Sequence, residues 1–343
     1  MRDEIAGTAP VTSRRAVVLG LLGLPFIAAA CTSSPTEETD AQDAVFPIEV
    51  RHHFGVTTIA DRPVRIATFG VAAADVCLLL GIAPLGMPGS NSTPWYNLGR
   101  VAEEAMTPVL YPDELDLALA AIEDLEPDLI FTLGADITRD EYSRLSDIAP
   151  VVHGPGEGKP SWRETVDQVA RTIGRSGRGT ELIRDTEQRI RESTSDYPDL
   201  PGTTFLAVEA FTAAGADLGV YDGASGPVGI LEEFGISAAP LPAGLEEAEE
   251  LVDDVFGRVG QVRLPRTRAE GLRADVLVLV AERRRAQELA DELAGDLDPA
   301  VQVVPAPKDE MGAAMIMASP LSIDWLARNF VPVLAEAAFD ARQ

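Results

Sequence analysis

Two patterns of apolar and polar positions alternate along most of this chain. Short apolar runs with branched side chains, such as 64–69, 128–133 and 276–280, have the length of strands that are buried on both faces. Runs with apolar residues at helical spacing follow them, the first at 72–80 after Gly70. This alternation of strand and helix predicts an α/β fold with mostly parallel sheets.

The strand–helix alternation occurs twice, with a long helical run in between. We therefore expect two α/β lobes, residues 46–154 and 199–343, joined by a single long helix within residues 155–198. The bridging helix is predicted from Ser161 to Ser193, where apolar residues recur at helical spacing although several glycines weaken its middle. The chain is predicted to close with one amphipathic helix over 320–338.

The first 31 residues have the pattern of an export signal. The pair Arg14-Arg15 precedes an apolar run that is too short to span a bilayer, and three alanines then lead to Cys31. This pattern resembles a bacterial lipobox, which implies that Cys31 is lipidated and anchors the protein to the extracytoplasmic face of the cell membrane. The alternative is cleavage elsewhere with Cys31 unmodified, and both Sec and Tat export stay open. The polar stretch 32–45 is predicted to be a flexible tether.

Composition excludes several classes of function. The formal net charge of −27 makes binding to nucleic acid improbable, because such a surface repels polyanions. The chain has three histidines, two of them adjacent, so we expect no site for a bare metal ion. Known nucleophile, dinucleotide and phosphate-loop motifs are absent from the sequence, and we expect no enzyme activity and no cofactor. Cys77, within an apolar run, is predicted to be a buried thiol.

Four segments, taken together, resemble one known family. The chain is similar, over about residues 46–338, to the periplasmic-type binding proteins of ABC importers for iron siderophores and cobalamin. The segments that carry the resemblance, in chain order, are 54–67, Glu126-Pro127-Asp128-Leu129-Ile130, 226–235 and 319–325.

The resemblance implies a fold, a ligand and partners. The fold would be the class III binding-protein type, with two lobes on one rigid helix, little hinge motion and a ligand in the cleft between them. The ligand would be a ferric siderophore, delivered by a monomer to the permease of an ABC transporter for iron uptake. Haem or cobalamin is the alternative ligand for the same cleft. A receptor or structural lipoprotein that has lost transport is a further alternative.

Ligands of such folds bind beyond the carboxyl ends of the strands, so the residues that follow each strand are the candidate site. In the first lobe and at the start of the bridge, these candidates are Phe69, Gly70, Trp95, Tyr96, Leu133, Gly134, His153 and Trp162. Phe69 faces either the ligand or the core beneath the first helix. Trp95 and Tyr96 lie in a polar loop and are predicted to offer aromatic rings to a bulky chelate. His153 either hydrogen-bonds the ligand or is solvated.

In the second lobe the candidates are Glu209, Phe211, Tyr221, Met311 and Met315. The two methionines either adapt to the ligand or fill the core. Few basic side chains lie near the predicted cleft, with Arg100, Arg139 and Arg163 the nearest, and this favours a neutral or weakly charged chelate of the hydroxamate type.

The sequence departs from the family at the positions that dock on the permease. The family commonly carries one glutamate in each lobe, but Ala120 and Thr267 occupy the corresponding positions here. Asp116, Glu123 and Glu270 are near enough along the chain to substitute for the missing glutamates.

Overall fold

The computed structural model describes most of the chain after the predicted signal and tether. The described residues are 45–88, 93–97, 109–111, 115–156, 159–210, 217–223, 225–241 and 261–343. Predictions for Cys31, Arg100 and Phe211, and for the side chain of Tyr96, lie outside the described residues. Within the described ranges, no helix combines the length and the apolar content that a bilayer crossing requires.

The first lobe is a five-stranded parallel sheet preceded by a hairpin. Apolar and polar residues alternate over 48–52 and 56–59 on either side of Phe54-Gly55, which predicts a short hairpin. The structure pairs β1 (Ile48–His52) with β2 (Gly55–Ile59), as predicted. The sheet has the order β5-β4-β3-β6-β7, with strands β3 (Ile66–Thr68), β4 (Gly86–Pro88), β5 (Val109–Tyr111), β6 (Leu129–Phe131) and β7 (Val151–Val152). Its helices are α1 (Val71–Leu79), α2 (Leu115–Asp124) and α3 (Arg139–Ile148), with a 3-10 turn at Pro94–Asn97.

The stretch from Ser161 to Ser193, predicted as one continuous helix, is interrupted, so those helix bounds are wrong. The helices are α4 (Trp162–Thr172) and α5 (Ser176–Thr194). They are separated at Gly174, whose φ of +72° is a left-handed conformation that ends a helix and favours glycine. Ser161 fixes the start of α4 through a capping box. Its side chain accepts a hydrogen bond from the backbone N–H of Glu164, and the Glu164 side chain accepts one from the backbone N–H of Ser161.

The second lobe is a mixed sheet with the main order β11-β9-β8-β12-β13 and β10 paired to β8. Strands β8, β12 and β13 are parallel, whereas β9 is antiparallel to its neighbours β8 and β11. The strands are β8 (Thr204–Ala210), β9 (Asp217–Tyr221), β10 (Ser237–Ala238), β11 (Gln261–Pro265), β12 (Val276–Ala281) and β13 (Gln302–Pro307).

The helices of the second lobe include two where one was expected at the end of the chain. They are α6 (Gly226–Glu233), α7 (Ala286–Ala294), α8 (Ala313–Ile316), α9 (Pro320–Asn329) and α10 (Val331–Asp340), with a 3-10 turn at Arg266–Gly271 and a π-helical turn at Lys308–Gly312. The predicted helix over 320–338 is divided at Phe330, because Pro332 cannot donate a backbone hydrogen bond within a continuous helix.

One continuous apolar cluster joins the lobes. It includes Val76 of α1, Val169 of α4, Phe205 of β8 and Phe330 between α9 and α10, each fully or almost fully buried. Cys77 belongs to this cluster, and burial raises the pKa of its thiol to about 12, so the prediction of a buried thiol is confirmed. The α/β class with two lobes is also as predicted.

Candidate functional site

A cavity of about 310 Å³ lies where the two lobes meet the start of the bridge. Residues from both lobes line it: Val71, Ala72 and Gly134 of the first lobe; Lys159, Pro160, Ser161, Trp162, Glu164 and Thr165 at the bridge; and Gly223, Ser225, Gly226, Gly229, Ile230, Glu233, Ile316, Met317 and Ala318 of the second. Among the residues predicted from the sequence, Gly134 and Trp162 lie in this wall.

Two larger grooves lie elsewhere. A groove of about 720 Å³ runs between β1 and the helix pair α4 and α5, and another of about 490 Å³ lies beside β11. Charged side chains contribute much of both linings, and neither groove has walls from both sheets. Since ligands of open α/β sheets bind where the carboxyl ends of strands and helix N-termini converge, the inter-lobe cavity is the better candidate site.

The second-lobe wall of the cavity is built on glycine. Gly223, Gly226 and Gly229 line it, and a Cβ atom at Gly223 or Gly229 would meet no other atom within 4 Å. Side chains would therefore have room at these two positions, and steric crowding does not explain the glycines. The glycines leave open space in which a ligand can approach the start of α6, where the first N–H groups of a helix have no acceptor within it.

A charged cluster closes the bridge side of the cavity. The Arg163 guanidinium donates to both oxygens of Glu233, with Nη2 to Oε2 at 3.0 Å, and its Nε lies 2.8 Å from Glu187 Oε1. These hydrogen bonds raise the pKa of Arg163. Its guanidinium carbon also lies 4.2 Å from the centre of the Trp162 ring. The Glu233 carboxylate in the cavity wall is thus neutralised by a fixed cation.

Lys159 adds a cation to the same wall. Its Nζ lies 3.6 Å from Asp136 Oδ2, which is a long ion pair, and its side chain is about one-quarter exposed. Glu164 lines the cavity too, but one of its oxygens accepts from the backbone and side chain of Ser161. Among the residues that line the cavity, Lys159 contributes one positive charge and Glu164 and Glu233 contribute one negative charge each, a formal sum of −1.

In the first lobe, the structure brings together the residues that follow β3 and β6. A Cβ atom on Gly70 would lie 2.2 Å from the backbone oxygen of Leu133, so only glycine fits this position. Leu133 is fully buried, and we correct the expectation that it faces a ligand. Phe69 is half-buried and packs against the core cluster that contains Tyr111 and Ile130, which favours the core alternative.

Trp95 does not face a ligand, which corrects the prediction. Its side chain is fully buried, and its indole Nε1 donates to Asp75 Oδ2 at 2.9 Å. Asp75, also fully buried in α1, accepts a second hydrogen bond from the Ser319 hydroxyl of the second lobe. A polar residue inside an apolar helix needs a partner, and Asp75 was the sequence signal for the burial of Trp95.

All three histidines of the chain meet at the end of β7. The His153 ring centre lies 6.2 Å from that of His53 and 5.0 Å from that of Phe54, and His153 Nδ1 is 2.9 Å from Thr132 Oγ1. Burial and the neighbouring histidines lower the pKa of His153 to about 4 and also lower the pKa of His52. Because His153 is only 7 % exposed, the solvated alternative is wrong.

This histidine cluster is packed by aromatic rings rather than by ligating groups. Phe54 stacks on Tyr142 with a centroid distance of 4.6 Å, and the Arg139 guanidinium lies 5.3 Å from the Phe54 ring centre. Nowhere in the described part of the chain do three or more His, Cys, Asp or Glu side chains form a group that could hold a metal ion.

In the second lobe, Glu209 and Tyr221 contact each other. Glu209 is 3 % exposed and accepts hydrogen bonds from Tyr221 Oη at 2.8 Å, Gln261 Nε2 at 3.0 Å and Lys308 Nζ at 2.6 Å. Both predicted residues are buried, which corrects the expectation that they touch a ligand directly. Sequence reasoning missed Lys308, although a lysine directly after a strand, in a chain with only two lysines, was a usable signal.

The two methionines belong to the core. Met315 is fully buried and Met311 is half-buried against the same apolar cluster. The core alternative is therefore correct for Met315. The methionine that does line the cavity is Met317, two residues further along the chain.

Comparisons with known proteins agree with this architecture. No family model matches the chain. The chain is 25 % identical over 212 residues to the probable siderophore-binding lipoprotein YfiY of Bacillus subtilis, an alignment that covers 61 % of this chain and 63 % of that protein. It is also 25 % identical over 218 residues to the ferric enterobactin-binding periplasmic protein FepB of Escherichia coli, covering 61 % and 67 % of the two chains.

Among solved structures, the chain is similar to the iron uptake ABC transporter substrate-binding protein PiaA of Streptococcus pneumoniae. The TM-score is 0.68 at 26 % identity, covering 85 % of this chain and all of that one. The structure of PiaA in complex with ferrichrome gives a TM-score of 0.69 at 26 % identity, covering 85 % and 99 %.

These comparisons confirm the resemblance and the fold class. The chain resembles substrate-binding proteins of iron-siderophore ABC transporters, and its fold is that of class III periplasmic binding proteins. The relatives are binding proteins, a non-enzymatic class, in agreement with the expectation that this chain is not an enzyme. The relatives named as lipoproteins also agree with an extracytoplasmic protein anchored to a membrane.

Proposed function

We propose that this chain is an extracytoplasmic substrate-binding lipoprotein that captures a ferric siderophore between its lobes and delivers it to an ABC permease for iron uptake. The observation that carries the proposal is the inter-lobe cavity, with its glycine wall on one side and Val71, Ala72 and Gly134 on the other. Its volume of about 310 Å³ lies at the lower end of the range for small-molecule sites.

The lining supports a chelate of low net charge. Each carboxylate in the wall is engaged, Glu233 by Arg163 and Glu164 by Ser161, and Lys159 lies beside Asp136. A strongly anionic catecholate complex would need several uncompensated cations. A ferric hydroxamate complex binds through apolar contact and a few hydrogen-bond donors, and this lining offers both. The protein needs no cofactor, since the iron arrives with the ligand.

Delivery requires an anchor and a docking surface. We propose lipidation at Cys31, with residues 32–45 as the tether, and docking of a monomer on the permease through acidic side chains of each lobe. The candidates are Glu123 on α2, Glu270 in the 3-10 turn of the second lobe, and Asp116, which is exposed although it pairs with Arg144 at 2.5 Å.

Titration with a panel of ligands tests the proposal. Purified protein is titrated with ferrichrome, ferric enterobactin, hemin and cobalamin while tryptophan fluorescence and the visible spectrum are recorded. We expect tight quenching by ferrichrome and weaker or no quenching by triply anionic ferric enterobactin. Because Trp162 lines the cavity, Trp162→Phe should remove a larger share of the quenching than the matched variant Trp325→Phe on α9.

Two results would overturn the proposal. One result is a Soret shift with hemin, or saturable binding of cobalamin, while no ferric chelate binds. The ligand would then be haem or cobalamin. The other result is that no ligand of the panel binds. The protein would then be a receptor or structural lipoprotein that has lost transport.

A further inference from the structure

Arg163 connects the bridge to the second lobe beside the wall of the inter-lobe cavity. It lies in the first turn of α4 and donates to both oxygens of Glu233, the last residue of α6. Its Nε also donates to Glu187 Oε1 of α5 at 2.8 Å. Glu233 lines the cavity, whereas Arg163 and Glu187 are not among the described residues that line it. Arg163 therefore acts on the cavity through the side chains that it holds.

The contacts of Arg163 fix the guanidinium in one orientation. Its two Nη atoms pair with the two oxygens of Glu233, an arrangement that sets the direction of both groups. Its guanidinium carbon lies 4.2 Å from the ring centre of Trp162, and Trp162 Nε1 lies 3.4 Å from Glu233 Oε1. The side chains of Arg163 and Glu233 are 37 % and 25 % exposed. Arg163 thus positions two side chains of the cavity wall.

The charge of Glu233 matters because few charged groups line the cavity. With Lys159 at +1 and Glu164 and Glu233 at −1 each, the formal sum of the described lining is −1. Such a wall favours cationic ligands and disfavours anionic ones. The Arg163 cation lies within hydrogen-bond distance of Glu233, so the carboxylate that faces the cavity is already paired. Glu187, the other partner of Arg163, adds no charge to the described lining.

We infer that Arg163 is a positioning residue that determines specificity for the charge of the chelate: by pairing with Glu233, it sets the cavity to accept ferric chelates without a net charge. The inference rests on the proposed function and narrows it. A ferric trihydroxamate complex is uncharged, because three hydroxamate anions balance Fe(III). Without Arg163, Glu233 would offer a free carboxylate, and the cavity would favour chelates that carry a pendant ammonium group.

Two ferric trihydroxamates that differ in charge test the inference. Ferrichrome is uncharged, and ferrioxamine B carries one pendant ammonium group. The Kd of each is measured by calorimetric titration, and the readout is the ratio of the Kd of ferrioxamine B to that of ferrichrome. Arg163→Met should lower this ratio roughly threefold to fivefold, the size of one partly exposed ion pair. Glu233→Gln removes the carboxylate, keeps the cation and should raise the ratio.

The change in the ratio distinguishes a role in specificity from a structural role. Because the two chelates also differ in shape, only the ratios of variant and wild-type protein are compared. The double variant Arg163→Met/Glu233→Gln removes both charges and should return the ratio close to the wild-type value. A merely structural role would weaken the binding of both chelates alike. Glu233→Gln and the double variant also keep the test decisive if Arg163→Met folds poorly.

The same helix offers a matched control. Arg171→Met on α4 removes an exposed cation that pairs with Asp167, and neither residue is in the described lining of the cavity. This variant should leave both Kd values unchanged.

The outcomes separate this inference from the proposed function. If wild type binds ferrichrome and the ratio is the same for Arg163→Met and Glu233→Gln as for wild type, the inference is wrong and the function stands. A shift of the ratio in the same direction for both variants would also overturn it. If wild type binds neither of these chelates nor any other ferric chelate of the panel, the proposed function itself fails.

Discussion

The buried histidine His153 should make the protein less stable in mild acid. In the folded chain its ring lies against Phe54 and His53, with Thr132 on Nδ1, and its pKa is lowered to about 4. An imidazole in the unfolded chain has its ordinary pKa of 6.5. Between these two values the unfolded chain binds the proton and the folded chain does not. Stability is therefore complete above pH 6.5 and falls as the pH drops toward 4.

The size of the effect follows from the two pKa values. At about 1.4 kcal/mol for each pH unit, the difference between 6.5 and about 4 corresponds to about 3 kcal/mol, most of which is lost by pH 4.5. Some of the groups around the ring lower the pKa of His153 and others raise it. Burial is the largest cause, and His53 and His52 disfavour a proton as well, whereas Thr132 and Asp136 favour it.

Two measurements test this prediction. The chain has three histidines, so an NMR titration of the imidazole carbons gives three signals, and that of His153 should titrate near pH 4. Urea unfolding at pH 7.0 and 4.5 should show a loss of stability that is about 2–3 kcal/mol larger for wild type than for His153→Gln. Equal losses for the two proteins, or a His153 signal that titrates near 6.5, would refute the reasoning.

Three further substitutions have defined outcomes. Gly70→Ala places a Cβ atom against the backbone oxygen of Leu133 and should destabilise the fold by about 1–3 kcal/mol, measured by denaturant unfolding, whereas no loss would contradict the packing. Trp95→Phe removes a donor from the buried Asp75 and should cost about 1–3 kcal/mol while leaving chelate affinity within twofold; a large loss of affinity would return Trp95 to the site. Cys31→Ala should move the protein from the membrane fraction to the soluble fraction, and unchanged membrane association would exclude lipidation at this residue.

The fold was more predictable than the site because strands and glycines leave local signals. The apolar run 128–133 predicted β6, and the alternation at 48–59 predicted the first hairpin. The glycines in the middle of the predicted bridging helix indicate a weak point in it. From the sequence alone they are compatible either with a weakened continuous helix or with a break between two helices. The left-handed conformation of Gly174 decides between them, and it depends on tertiary packing.

Contacts between distant parts of the chain explain the errors in the site. Trp95 is in a polar loop by sequence, yet it is fully buried. Its indole donates to Asp75, twenty residues earlier, and Asp75 also accepts from Ser319 of the second lobe. Glu209 was identified correctly as a polar residue after a strand, but its partner is Lys308, ninety-nine residues away. A position at a strand end predicts nearness to the cleft. It does not say whether a side chain meets the ligand or another side chain.

The hydrogen bond between Ser319 and Asp75 has a consequence for recognition by a transporter. Pulling the lobes apart would remove a donor from a carboxylate in apolar surroundings, where a hydrogen bond to a charged group is worth about 1.5–3 kcal/mol. This hydrogen bond therefore favours the closed arrangement of the lobes by a factor of roughly 10 to 100, and we expect the empty and loaded forms to present nearly the same outline. A permease that receives this protein must then distinguish the two forms by the rim of the cleft and by the exposed surface of the cargo.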